Sequence, residues 1–416
     1  IFGLVASILA STGFGALWQY AHLLGLLLGL LGVRFGIVAL GTARARVEIS
    51  ADGLRVVGPV RHRDVAWERI AAIESRVVHP VHWLTAALRL EDVAEPAPPG
   101  PGEVQIRVRA VGLNFIDVWG FRGMAFAKRK MPQVVGVEAS GEITAVGAGV
   151  GGFKPGDPVV MYGALTCGTC KACREGRDNL CENVGGIMGF HVDGFARDRL
   201  NMPARLVMPV PKGVSLRDAA CAPIAFSTVQ HMLFDNAKLE PGETILVQAG
   251  GSGIGTVAIK MAKAIGCTVI TTVGDDEKAL KAKALGADHV INYRKDRFAT
   301  ITRKLTNKKG VDVVFEHVGG EGFNESLLVL KRGGRLVTCG STAGPSITFN
   351  LMQLFQQQYK ILGSFGASMK NIRDSLDKMA GGMLPVIDTE IGLADLERGI
   401  ARLESRQVFG KIVVMF

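Results

Sequence analysis

The chain has 416 residues, 48% hydrophobic and 6% aromatic, with 48 basic and 38 acidic side chains and a formal charge of +10. That length holds two or three domains with a large core, and with no basic tract interleaved with aromatics, nucleic acid is not the expected partner. Seven cysteines are too few for a disulfide scaffold at this length, and four of them cluster, which favours metal in a reducing compartment.

Residues 1–40 carry no acidic side chain, and Arg34 is their one Lys or Arg. Residues 1–18 and 23–40 are each near the length that crosses a bilayer, so an apolar helical segment is expected, a two-helix membrane hairpin over residues 1–42. A buried helical hairpin in a soluble fold is the rival. Arg44, Arg46, Arg55 and Arg61 follow, and the positive-inside rule places the downstream chain in the cytoplasm, tethered by membrane contact through residues 1–42.

From residue 45 the pattern alternates, as in Ala45-Arg46-Val47-Glu48-Ile49 and Leu54-Arg55-Val56-Val57, with Asp52-Gly53 as a hairpin turn and a short amphipathic run at Trp67, Ile70 and Ile73. Residues 43–83 loosely resemble part of a bacterial membrane-associated PH-like domain. Residues 88–93 and 104–110 then predict strand, proline-rich turn, strand, and further extended runs at 141–147 and 158–161 flank a turn at 153–157.

Cys167, Cys170, Cys173 and Cys181 stand in a C-x2-C-x2-C-x7-C pattern among small and polar loop residues. Four thiolates on one ion suit structural zinc, with no position open to a substrate.

The organising stretch is residues 243–293. A β-branched run, 244–249, ends in Gly250-Gly251-Ser252-Gly253-Ile254-Gly255, and apolar residues recur at helical spacing from 256 to 265. Strand, tight turn and helix in that order let the backbone approach a pyrophosphate at the helix N-terminus. Strands at 267–273, 289–292, 311–315 and 335–339, with a helix at 278–285, continue the alternation of a doubly wound α/β sheet.

These motifs, with Ala110-Val111-Gly112-Leu113-Asn114-Phe115-Ile116-Asp117, Gly136-Val137-Glu138, Gly152-Phe153-Lys154-Pro155-Gly156-Asp157, Leu285-Gly286-Ala287-Asp288 and Phe409-Gly410-Lys411-Ile412-Val413, resemble the medium-chain dehydrogenase/reductase superfamily over residues 84–416. The resemblance implies a GroES-like catalytic domain (84–214 and 370–416, with a zinc lobe at 163–184), a Rossmann domain (215–369), and a cleft between them. It also implies a homo-oligomer. Where zinc alcohol dehydrogenases carry catalytic ligands, this chain has Asn114, Val137 and Ile224, leaving Glu138 alone; His191 is a solvated loop histidine by comparison.

Without a catalytic metal, the resemblance implies zinc-independent hydride transfer to a quinone or α,β-unsaturated carbonyl, a small-molecule acceptor. Asn114 and Asp117 are the catalytic candidates, with Trp119 and Phe121 lining an apolar pocket. Val273 and Gly274 stand where an NAD-specific site wants an acid, and Lys278 and Tyr293 match residues that hold the 2'-phosphate, favouring NADPH over NADH. His317, Val318, Cys339 and Gly340 line the nicotinamide side. The alternatives are an alcohol or aldehyde dehydrogenase with a rearranged metal site, and a catalytically silent NADPH-binding redox sensor.

Overall fold

The computed structural model describes residues 35–38, 46–50, 53–57, 62–66, 95–122 and 133–416, with side chains for 95–120 and 133–416. The chain divides into two compact units, residues 1–84 and 85–416.

In the first unit, β1 (Phe35–Val38), β2 (Arg46–Ser50), β3 (Gly53–Val57) and β4 (His62–Ala66) form an antiparallel meander in chain order. Ser50 pairs with Gly53, so the hairpin loop is residues 51–52 and Gly53 opens β3. The expected helix over 23–40 is corrected at its end. Phe35-Gly36-Ile37-Val38 is a strand whose aromatic and β-branched residues pair with β2, Phe35 opposite Ile49. Residues 1–34 and 39–42, the rest of the expected hairpin, lie outside the described residues, as do 67–94 with the run at Trp67 and the expected strand at 88–93. Among the described residues no helix is long and apolar enough to cross a membrane.

The second unit is built on two sheets. One runs β16-β17-β5-β6-β7-β9, made of β5 (Glu103–Gly112), β6 (Ala139–Val146), β7 (Pro158–Met161), β9 (Val207–Pro209), β16 (Ile387–Gly392) and β17 (Lys411–Met415), with β8 (Arg199–Pro203) also pairing β5. The C-terminal strands thus return to the N-terminal sheet: Val413 pairs with Gly112. Along β5, buried residues alternate with half-buried ones until 110–112, where both faces are covered. Helix α1 (Phe115–Arg122) follows at once.

The other sheet is parallel, in the order β12-β11-β10-β13-β14-β15: β10 (Thr244–Val247), β11 (Thr268–Val273), β12 (His289–Asn292), β13 (Val311–Glu316), β14 (Leu330–Thr338) and β15 (Lys360–Gly363). The chain winds outward from β10 and then returns to its other side, so the strand order reverses between β10 and β13, the position where Rossmann-type sheets bind dinucleotides. Both faces are covered. Ile245 and Val247 of β10 pack with Val257 and Ile259 of α2 (Gly253–Ala264), which is followed by α3 (Asp276–Ala284). Leu246 packs with Phe323 and Leu327, on the face carrying α4 (Phe298–Leu305), α5 (Gly322–Leu328) and, further out, α6 (Leu351–Gln356). Each fully buried aliphatic side chain contributes about 1.5–3 kcal/mol.

Helix α2 begins three residues before the periodicity suggests. Ser252 sits at its N-cap in extended geometry and its Oγ accepts from Gly255 N at 2.9 Å.

Candidate functional site

The turn after β10 is shaped by what surrounds each glycine. A Cβ on Gly250 would lie 2.1 Å from Thr271 Oγ1, and one on Gly255 would lie 2.3 Å from the Ala249 carbonyl oxygen. Ala249 itself holds φ +49°, the left-handed conformation the tight turn demands. Gly253 and Ile254, the first two helical residues, have no preceding turn to bond, so their N–H groups are free for an anion. A dinucleotide pyrophosphate fits this backbone.

At the end of β11 the buried Val273 leads into Gly274, where a Cβ would meet the Tyr293 hydroxyl at 2.6 Å. The Arg294 guanidinium lies near the same point, and the Lys278 stem lies beside the glycine turn, 3.3 Å from a Cβ on Gly251. The two acids of this turn are occupied. Asp275 caps α3 by accepting from Lys278 N at 2.8 Å, and Asp276 pairs with Lys295 at 2.5 Å and Asn292 at 2.8 Å. Lys278 Nζ donates to the Arg406 carbonyl at 2.6 Å.

Across from the turn lies a buried ion pair. Lys411, 2% exposed, sends its ammonium to Leu113 O at 2.6 Å, Asn114 Oδ1 at 2.8 Å and Glu138 Oε1 at 2.7 Å, so its three protons all find oxygens. Glu138, fully buried, also accepts from Asn114 Nδ2 at 2.9 Å and from the backbone of Ile224 and Ala225 at 2.7 and 3.1 Å. Those two amides come from a π-helical turn, Ala222–Phe226, whose widened register turns N–H groups inward. Two glycines make room: a Cβ on Gly112 would stand 2.5 Å from Glu138 Oε1, and one on Gly253 2.8 Å from the Lys411 stem. Gly253 thus makes room for the lysine at the same turn.

Asn114 has its amide committed, Nδ2 to Gly112 O at 3.1 Å and to Glu138, and Oδ1 to Lys411. Asp117 lies one turn on, accepting from Asn114 N at 2.8 Å through Oδ2, while Oδ1 has no partner among the described residues. Burial pushes the Asp117 carboxyl up to about 7, against the pull of the Asn114 N–H and Lys411.

Residues 253–381 match the family model of zinc-binding dehydrogenases, and 100–212 that of the alcohol dehydrogenase GroES-like domain; 44–111 match a bacterial PH domain. An acryloyl-coenzyme A reductase of Sulfurisphaera tokodaii is 31% identical over 78% of this chain and 96% of its own. The chain belongs to the medium-chain dehydrogenase/reductase superfamily. A quinone oxidoreductase of Pseudomonas aeruginosa is 32% identical over 77% of this chain and 93% of its own. The structure of an NAD-dependent alcohol dehydrogenase superposes with a TM-score of 0.74 at 38% identity, covering 78% of this chain and 95% of that one.

In this medium-chain dehydrogenase/reductase the residues around Glu138 do not fit a catalytic metal. Val137 and Ile224 offer no side-chain donor, and Glu138 and Asn114 are spent on an ammonium. Lys411 was not assigned a role from sequence. Its signal was a cation at the head of Ile412-Val413-Val414, a run that otherwise reads as a fully buried strand.

The opposite wall of the cleft comes from the parallel sheet. His317, after β13, is buried, and its Nε2 lies 3.0 Å from the Gln248 carbonyl and 3.5 Å from Ser252 Oγ; burial pushes its pKa down to about 4, so it is neutral. The buried Glu316 holds the next loop by accepting from Val318 N at 2.9 Å and Gly319 N at 3.0 Å. The half-buried Cys339 precedes Gly340, and a Cβ on Gly340 would sit 3.7 Å from the Trp119 ring. Trp119, braced edge-on by Phe115, therefore reaches from α1 to the sheet's C-terminal edge. The Phe121 side chain lies outside the described residues, and His191 is exposed, its Nδ1 accepting from Ile187 N at 3.3 Å.

The four lobe cysteines come together as the spacing predicts. The Sγ atoms of Cys167, Cys170, Cys173 and Cys181 all lie within 4.8 Å of one another. A tetrahedral zinc–thiolate site needs sulfurs roughly 3.8 Å apart, so the cluster closes on an ion with small adjustments. N–H groups of Thr169 and Cys170 point at Cys167 Sγ, at 3.4 and 3.3 Å, and pull that thiol down to about 5.

Proposed function

We propose that this oxidoreductase reduces a quinone or an α,β-unsaturated carbonyl with NADPH, without a catalytic metal. The observation that carries the reading is the Lys411–Glu138–Asn114 cluster, which fills with an ammonium the place where zinc-dependent relatives need ligands. An alcohol or simple ketone needs strong polarisation; a conjugated acceptor is already electrophilic and needs chiefly position and exclusion of water.

A bound dihydronicotinamide supplies the hydride, and a proton from water completes the two-electron reduction. The chain's own contribution is placement. The glycine turn and Ser252 would hold the pyrophosphate, and Lys278 beside Gly251 and Tyr293 beside Gly274 would receive the 2'-phosphate. Val318, His317, Cys339 and Gly340 border the nicotinamide end, and Trp119 closes the acceptor side. Asn114 and Asp117 act here by fixing the cleft floor through Lys411 and the start of α1. The cysteine lobe holds a structural zinc, whose role is to tie the loop together. The open edge β15, beside exposed Leu351, Met352 and Phe355, supports a homo-oligomer.

Steady-state assays test this. NADPH oxidation is expected with quinones and enones and not with simple aldehydes or ketones. Lys278→Ala is expected to raise KM for NADPH by tenfold or more, about 1.4 kcal/mol, and to leave KM for NADH near its original value. Equal effects on both cofactors would remove Lys278 from 2'-phosphate recognition, and ketone turnover alone would remove the conjugated acceptor.

A further inference from the structure

On the sheet face carrying α4, α5 and α6 there is a cavity of about 530 Å³ that none of the proposed chemistry uses. Arg297, Arg303, Lys308, Lys309 and Arg332 line it together with Tyr359, and no carboxylate does. Its volume falls in the range of small-molecule pockets, of order 300–1,000 Å³.

The charges are largely uncompensated. Arg297 reaches Glu325 at 2.7 Å, whereas Arg303 donates only to the carbonyls of Leu328 at 3.2 Å and Lys308 at 2.9 Å. Lys308, Lys309 and Arg332 have no ion-pair partner among the described residues. Asp312, on the neighbouring strand β13, is taken by Lys331 and by Thr244 N. The lysines are held in place by their backbone: Asn307 and Lys308 adopt φ +48° and +64°, Lys308 N donates to Arg303 O at 2.6 Å, and Gly310 N donates to Thr306 Oγ1 at 3.0 Å. Like charges fixed around one concavity repel each other, and a polyanion relieves that cost while gaining charge-assisted bonds from the arginines. Leu330 and Arg332 of the lining belong to the first residues of β14, whereas its other end leads to Cys339 and Gly340 in the cleft. The cavity is therefore separate from the cofactor site.

We propose that this cavity binds a small anion bearing two or more phosphate groups, either a nucleoside polyphosphate or a free polyphosphate. The test is calorimetric titration of ATP and of tripolyphosphate into protein saturated with NADPH, which keeps the glycine turn from taking the probe, at about 0.15 M salt. Saturable binding of one molecule per chain is expected, weakened tenfold or more in Lys308→Glu/Lys309→Glu and in Arg332→Glu, and unchanged in Lys278→Ala. The Lys308→Glu/Lys309→Glu and Arg332→Glu variants are expected to keep wild-type circular dichroism and turnover. Tighter binding of ATP assigns a nucleotide, and equal binding assigns the phosphate chain alone. The proposal is overturned by no saturable binding at millimolar probe, by binding that survives both charge reversals, by loss in Lys278→Ala, or by a single-stranded oligonucleotide outcompeting both probes.

Discussion

Lys411 and Glu138 are each at most 2% exposed, so their attraction is unscreened by water and each is costly without the other. Lys411→Met is expected to destabilise the protein by about 3–5 kcal/mol, because it leaves Glu138 buried and uncompensated. Adding Glu138→Gln should recover part of that loss, whereas independent contributions would sum; urea denaturation of the singles and the double decides. Asp117 and His317 pull the pH dependence in opposite directions. Asp117 is raised to about 7 from an unfolded value near 3.8, so its contribution is full below that value and is lost as pH rises through 7. His317 is lowered to about 4, so its contribution is present above about 6.5 and is lost as pH falls through 4. Asp117→Asn should therefore flatten the fall in melting temperature between pH 4 and 7, and a profile identical to wild type would remove the buried carboxyl from that account. At this scale the sequence showed which positions lack the thiolate or imidazole of a zinc ligand, through Asn114, Val137 and Ile224. It did not show that a lysine nearly 300 positions from Asn114 fills the gap, because only the antiparallel pairing of β17 with β5 brings them together.

The strand–turn–helix from β10 into α2 was the most legible element, since its glycines, its cap and its apolar spacing are all local. Its tolerance is set by backbone contacts. Gly255→Ala places a Cβ 2.3 Å from the Ala249 carbonyl and 2.8 Å from the Ser252 cap, so the turn must open. We expect a loss of about 1–3 kcal/mol in stability and weaker NADPH binding, measured by thermal melting and cofactor fluorescence. Unaltered binding would mean that the turn is not the pyrophosphate cradle. The cysteine lobe was legible for the same reason, four ligands within fifteen residues. Residues 35–38 misled because hydrophobicity alone does not separate a membrane helix from a strand, and at Phe35–Val38 pairing with β2 decides.

At the scale of the second unit, a mostly antiparallel sheet, completed by the parallel C-terminal pair β16 and β17, faces a parallel sheet across a cleft, and the chemistry depends on what each side brings. The antiparallel side brings Trp119 and the Lys411–Glu138 pair; the parallel side brings the glycine turn, His317 and Gly340. The order of the motifs along the chain made both sheets legible. The closure of the first by residues 387–415 followed from resemblance to the superfamily, since nothing local in β16 or β17 names its partner. The central claim is that hydride transfer here proceeds with an ammonium where zinc-dependent relatives hold a metal. The measurement that tests it most directly is zinc content per chain alongside enone and quinone reduction by NADPH, before and after brief chelation. The account predicts one zinc per chain, held in the cysteine lobe, and turnover that survives chelation. A second zinc per chain, with activity lost on chelation and restored by added metal, would contradict it.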